Sequence, residues 1–353
     1  MQLRQIKRYI MGCYKMDFYI VFEKQIVRFL AALMFMSIHF EAFAQGPQQM
    51  FWALNSSNTY LLDQIGSTTA SVAYSVRKLR KNYTGFAMRV RLERPGAGAN
   101  PEGDVAFDAN GVVSENSTIR ITSSGRGFSV GDEVLFSTFY STSNVWVTIW
   151  YDQSGNNRHV SQSTPGQQPR IVNLGTLETS NSIASIRFIN ANETVLTATI
   201  PSSTMFGSGY IGTASLVSEA STGNTSSFGY SDGGSNRWQA HINEGNNLYF
   251  DVGNSYTRLS YNNSASIGNL RTYALVAGNS LMEIWLSGTR VANSTPSMSA
   301  STTNTFYVGG IPPFSGRWHH NNDQSEIVIF PKVLTAGEIG VLNRNQKDFY
   351  GTP

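Results

Sequence analysis

From Val145 onward the chain is a succession of short apolar segments, most of them closed within a few residues by glycine, serine or asparagine: "VWVTIWY", "ASIRFI", "NRWQAHI", "NLYFDVG", "RTYALVA", "LMEIWLSGTRV", "TFYVGG" and "SEIVIF". Their length and their β-branched and aromatic content suit strands rather than helices. Many short strands separated by turn signals predict an all-β sandwich or jelly roll. The earlier segment "FAMRVRL" has the same character: Phe86, Met88, Val90 and Leu92 alternate with Ala87, Arg89 and Arg91 as in a half-buried strand.

Two helices frame this pattern. In "TTASVAYSVRKLRKNYTG", Val72, Val76, Leu79 and Tyr83 recur at helical spacing, which predicts a short N-terminal helix with Arg77, Lys78, Arg80 and Lys81 mostly on its solvated side. Thr335 and Glu338 form a capping-box pattern ahead of Ile339, Leu342 and Phe349, which predicts a C-terminal helix. No fixed-period repeat and no linker interrupts the rest, so residues 50–353 read as one domain.

Before that domain lies a leader. Arg4, Lys7, Arg8, Lys15, Lys24 and Arg28 precede the apolar run "FLAALMFMSIHF", which closes on "EAFAQ", a small-x-small cleavage pattern. Residues 1–44 read as a signal peptide, which places the mature protein in the periplasm, on the cell surface or outside the cell. The formal charge of +3 belongs to this leader, since its removal leaves 20 basic and 20 acidic residues. Nothing basic then remains to favour nucleic acid, and no stable membrane span is expected after cleavage. The single cysteine, Cys13, is lost with the leader, so no disulfide framework is expected.

Three stretches carry a resemblance. "AYSVRKLRKNYTGFAMRVRL", "GDVAFDANG" and "VTIWYDQSGNNRHVSQ" together resemble the N-terminal half of the catalytic module of family 54 α-L-arabinofuranosidases. They equally resemble non-catalytic laminin-G-like modules of secreted bacterial proteins. "FYVGG" with "SEIVIFPKVLTAGEIGVLNRNQKDFYG" is similar to the closing strand and helix of those modules. The resemblance implies a concanavalin A-like jelly roll of two antiparallel sheets, with a concave face where glycans commonly bind. It also makes calcium conceivable, although no acidic run here marks a calcium site and no cofactor or metal is expected from the residues.

The resemblance argues against hydrolysis. The arabinofuranosidase nucleophile and acid align with Gln239 in "RWQAH" and Ile311 in "VGGIPP". A glutamine amide cannot form a glycosyl ester and isoleucine cannot donate a proton. No catalytic residue is therefore assigned. Asp152, in "YDQSG", reads as an Asx-turn carboxylate, because glycoside hydrolysis needs a second carboxylate and that turn has none. Glu244, in "NEGNN", reads as a solvated turn residue. Trp318, His319, His320 and Asp323 do not read as a metal site, since adjacent histidines on extended chain point apart.

Binding is the alternative. In "RWQAHI", Arg237, Gln239 and His241 share one face of a strand and Trp238, Ala240 and Ile242 the other. If "NEGNN" is a five-residue hairpin loop, Gln239 lies opposite Asp251 and His241 opposite Tyr249. Arg237, Gln239, His241, Tyr249 and Asp251 then form a polar face suited to sugar hydroxyls. The sequence thus reads as an exported lectin-like domain whose partner is a polysaccharide or other glycan. A glycosidase acting on plant or algal polysaccharide, and a structural envelope or adhesion protein, are the alternatives.

Overall fold

Val72–Ser75, inside the segment whose spacing predicts a helix, is a β-strand paired along its whole length with Asp323–Phe330. Helical spacing and burial on every side place apolar residues at overlapping positions, and all four strand residues are buried. Pairing with a central strand therefore overrides the local pattern. A short N-terminal helix does exist, but at Leu61–Gln64. The computed structural model describes residues 60–65, 69–94, 98–223, 226–232, 234–300, 303–311, 319–321 and 323–353. All lie in the compact unit Thr59–Pro353. The leader, residues 1–44, falls outside the described residues. No helix among the described residues is long and apolar enough to cross a membrane.

Every pairing between these strands is antiparallel. One run passes through Thr289–Ser294, Leu281–Leu286, Leu270–Gly278, Gly212–Glu219, Asp323–Phe330 and Val72–Ser75. A second passes through Thr257–Asn262, Asn247–Gly253, Arg237–Glu244, Phe228–Ser231, Thr305–Val308 and Leu196–Thr199. Val160–Ser161 carries this second run to Asn144–Trp150, which pairs in turn with Met88–Glu93. Arg170–Asn173 and Ile186–Arg187 join Asn144–Trp150 back to Asp323–Phe330, so the two runs form one nearly closed all-β jelly roll.

An aromatic core fills it. Trp238 stacks on Phe206 with centroids 3.9 Å apart and meets Phe250 edge-on at 4.9 Å. Phe306 links Phe228 and Tyr230 to Tyr74, which also contacts Trp150. A second cluster lies under the C-terminal helix Ala336–Tyr350, where Ile339 and Leu342 pack with Leu61, Leu62, Val328 and Phe330. The capping box is present as the sequence predicts: the Thr335 hydroxyl accepts from the Glu338 N–H and the Glu338 carboxylate from the Thr335 N–H.

Arg77 corrects the solvated-flank reading. Its guanidinium is buried and donates to both oxygens of Glu326 at 2.7 and 3.1 Å. Ser75, Gln346 and Tyr350 donate to the same carboxylate, which ties the closing helix to the first strand. "LMEIWLSGTRV" proves to be a hairpin rather than one strand, turned at Ser287 (φ 47°) and Gly288 (φ 79°). "ASIRFI" is not one strand: Ala184 ends the strand Ile183–Ala184, and within the segment only Ile186–Arg187 forms another.

Asp152 has the structural role its turn suggests. Its carboxylate accepts from the N–H groups of Ala73, Ser154 and Arg158 and from the Ser154 hydroxyl. Gln153 beside it donates to the carbonyls of Ser75 and Arg77 and accepts from the Leu79 N–H. The "YDQSG" turn is thus a clamp on residues 73–79.

Candidate functional site

The polar face begins with the register of one hairpin. Arg237–Glu244 pairs with Asn247–Gly253 so that Gln239 faces Asp251 and His241 faces Tyr249, as the sequence predicts. The turn itself differs from the predicted five-residue loop. Gly245 (φ 58°) and Asn246 (φ 71°) make a two-residue turn between Glu244 and Asn247, and a bulge between His241 and Glu244 absorbs the extra residue. Trp238 and Phe250 turn into the aromatic core, which leaves Gln239, His241 and Asp251 on the opposite face. Gly229 allows the neighbouring strand to approach: its φ is 152°, and a Cβ there would stand 2.5 Å from the Gln239 Cα.

Asp251 organises this face. It is fully buried and accepts from Arg258 Nε at 2.7 Å, Arg258 Nη2 at 2.8 Å, Gln239 Nε2 at 3.1 Å and Arg237 Nη1 at 3.3 Å. Burial pushes its pKa up, but the Arg258 hydrogen bonds and charge, with the Gln239 amide, outweigh that and hold it below the usual carboxylate range. The Gln239 amide also lies 2.9 Å from His241 Nε2, while His241 Nδ1 lies 2.6 Å from the Ser226 hydroxyl. An amide N–H must donate, so His241 is neutral and carries its proton on Nδ1. Burial drives its pKa down to about 4 against the opposing charge of Asp251, with Arg258 and Arg237 adding to the depression.

Of the five residues read from the sequence, Gln239, His241 and Asp251 are buried with 0%, 2% and 0% exposure, while Arg237 and Tyr249 are half-buried at the rim. The Gln239 Oε1 is enclosed and has no hydrogen-bond partner among the described residues. Three rim residues were not found by sequence reasoning. Arg258 faces Asp251 from the next strand and lies over the Tyr249 ring at 4.3 Å. Tyr256 carries the Arg237 guanidinium at 3.9 Å. Glu244, expected to be solvated, is half-buried with its Oε2 enclosed 3.9 Å from Arg258 Nη1. Burial raises its pKa above the usual value, and Asp251 adds to the rise, against the pull of Arg258 and Arg237. Continuing the alternation into "SYTRLSY" would have placed Arg258 on this face.

The remaining candidates lie elsewhere. Ile311 is fully buried. Trp318 is outside the described residues. His320 is buried with its Nε2 3.3 Å from the Ser218 hydroxyl, and burial lowers its pKa to about 4. Asp323 pairs in register with Arg187, the two charged groups 3.8 Å apart. Among the described residues, no group of three or more His, Cys, Asp or Glu is placed to hold a metal ion.

The chain matches no known protein-family profile and no curated protein. Solved structures similar to it include a GH54 α-L-arabinofuranosidase soaked with a cyclic sulfate inhibitor, at 14% identity and a TM-score of 0.48 over 82% of this chain and 64% of that one. The binding domain of botulinum neurotoxin serotype D is similar at 12% identity and a TM-score of 0.43, over 56% of this chain and 48% of that one. The serotype D ligand-binding domain in complex with N-acetylneuraminic acid gives 14% identity and a TM-score of 0.43, over 58% and 51%. The chain therefore spans about half to just under two thirds of these proteins' lengths.

Proposed function

We propose that the chain is a glycan-recognition module, with Arg237, Tyr249, Tyr256 and Arg258 as the contact surface and Gln239, His241 and Asp251 as the buried floor that fixes them. The observation that carries this reading is the pair of guanidinium groups anchored on one buried carboxylate, each laid on a tyrosine ring. Their side chains keep 14% and 33% of their surface open, at Arg237 and Arg258. Fixed N–H donors beside aromatic rings match the hydroxyls and C–H faces of a sugar, and the buried network lowers the entropy cost of holding them.

Affinity electrophoresis through gels containing soluble polysaccharides tests the site. Wild-type protein should be retarded by at least one of them, and Tyr249→Ala and Tyr256→Ala should run freely while melting near the wild-type temperature. Retardation unchanged in both variants would place the site elsewhere. No retardation by any polysaccharide would overturn the glycan reading.

A hydrolase reading has one observation in its favour. Asp251 and Glu244 both approach Arg258, and their pKa values are pushed in opposite directions, as in acid and base pairs. Against it, Asp251 is fully buried and its carboxylate already accepts four N–H groups, so a sugar carbon has no open approach to it. We therefore expect no release of arabinose from an aryl arabinofuranoside. Turnover abolished by Glu244→Gln would restore the enzyme.

The module is further proposed to work outside the cytoplasm after loss of residues 1–44. Mass measurement of the exported product should give a chain beginning near Gln45, and recovery of the intact chain in the inner membrane would contradict this.

A further inference from the structure

We infer that Arg89, Tyr151 and His159 form a second sugar contact on the same sheet face, so that the module holds a long glycan chain at two points. The inference rests on the glycan reading above. The second contact repeats the chemistry built around Asp251. Asp104 is buried at 7% exposure and accepts from Arg89 Nε at 2.8 Å, Arg89 Nη2 at 2.9 Å and the Tyr151 hydroxyl at 2.8 Å. Arg89 keeps 31% of its side chain open, and its Nη1 makes no hydrogen bond among the described residues. His159 meets the Tyr151 ring edge-on at 4.8 Å, and both are half-buried. The Nδ1 of His159 accepts from the Asp152 N–H at 3.0 Å, so the ring proton sits on Nε2. A fixed guanidinium and an imidazole N–H beside an aromatic ring suit the hydroxyls and C–H face of a sugar.

Strand register puts this contact on the face that carries Gln239 and Asp251. Residues directly opposite each other in a ladder project to the same side. Facing pairs run without a break from Gln239 through Gly229, Tyr307, Thr197, Ser161 and Ile149 to Arg89. At ~4.8 Å per strand, these six steps span about 29 Å along the sheet. Gly229 has no side chain to interrupt the path, Ser161 is exposed, and Tyr307, Thr197 and Ile149 are half-buried. A disaccharide is too short to reach from one contact to the other, whereas a longer chain can. Once such a chain is held at the first contact, binding at the second becomes intramolecular and raises avidity. The second contact adds to the first and does not replace it.

The test uses affinity electrophoresis through arabinan, xylan, polygalacturonate and alginate, with competition by the disaccharide and the decasaccharide of each, for wild-type protein, Arg89→Ala and Arg89→Lys. For the polysaccharide that retards the wild type, the decasaccharide should compete at least about tenfold more strongly than the disaccharide. Arg89→Ala should lose that advantage of length. Arg89→Lys, which keeps a cation for Asp104 but not the open fork, should lose it too while melting near the wild-type temperature. Equal competition by both lengths on wild type, or a length advantage that survives in either variant, would overturn the second contact and leave the glycan reading standing. A lowered melting temperature with equal loss for both lengths would assign Arg89 a structural role and overturn it too. No retardation by any of the four polysaccharides would overturn both.

Discussion

Asp251 and Arg258 face each other across adjacent antiparallel strands, joined by two N–H···O bonds of 2.7 and 2.8 Å. The carboxylate has no exposure, whereas the guanidinium side chain keeps 33%. The pair therefore anchors a surface cation to an interior anion. Arg258→Ala would leave Asp251 buried with Arg237 and Gln239 as its remaining donors, and should cost about 3 kcal/mol, at the low end for breaking a buried pair because the arginine is partly solvated. Urea unfolding measures this, and a cost below about 0.5 kcal/mol would show that Arg237 suffices.

His241 makes stability depend on pH. Its folded pKa of about 4 lies below the usual 6.5, so on acidification the unfolded chain takes up the proton first. The contribution is fully present above pH 6.5 and is lost as pH falls toward 4, amounting to about 3 kcal/mol across that gap. His241→Asn should be destabilised at pH 7, but less so at pH 4. Urea midpoints for both proteins at the two pH values measure the difference, and a pH-independent difference would mean that His241 is not held neutral.

Asp323 works in the opposite sense. Burial raises its pKa to about 7, with Glu219 and Glu178 adding to the rise and Arg187 opposing it. The folded protein then holds a proton that the unfolded chain has lost, so this contribution is complete below pH 3.8 and disappears as pH rises through 7. Asp323→Asn, which is always neutral, should gain stability relative to wild type between pH 4 and pH 8, by roughly 4 kcal/mol at most. Parallel melts at the two pH values would reveal it, and a constant difference would contradict the shift.

Trp238 should separate packing from recognition. It is fully buried, stacks on Phe206 at 3.9 Å, and donates its indole N–H to the Tyr210 carbonyl at 2.8 Å. Trp238→Ala should cost about 3 to 5 kcal/mol, the usual range for a large core aromatic, and leave that carbonyl without its donor. Chemical unfolding gives the value. A loss under 1 kcal/mol would mean that the fold does not depend on this contact.

Residues 237–253 show what alternation can and cannot reveal. Period-two patterning put Trp238 and Phe250 on one face and Gln239, His241 and Asp251 on the other, and the turn residues kept the register even though a bulge replaced the longer loop. The same patterning carried no information about cover. Gln239 and Asp251 belong to the polar face and are nevertheless fully buried, because Arg237 and Arg258 close over them from flanking positions.

The all-β class, the closing helix with its capping box, and the pairing of Gln239 with Asp251 were all legible in the order of residues. These depend on local chemistry: strand alternation, turn residues and a cap within four residues. Tertiary structure alone decided that Val72–Ser75 is a strand, that Arg77 is a buried partner of Glu326 rather than a solvated cation, and that Arg258 is the principal partner of Asp251. Each of those outcomes depends on a neighbouring strand supplying hydrogen bonds or an opposite charge. The neighbour of residue 72 lies more than 250 positions away, and no local window contains it.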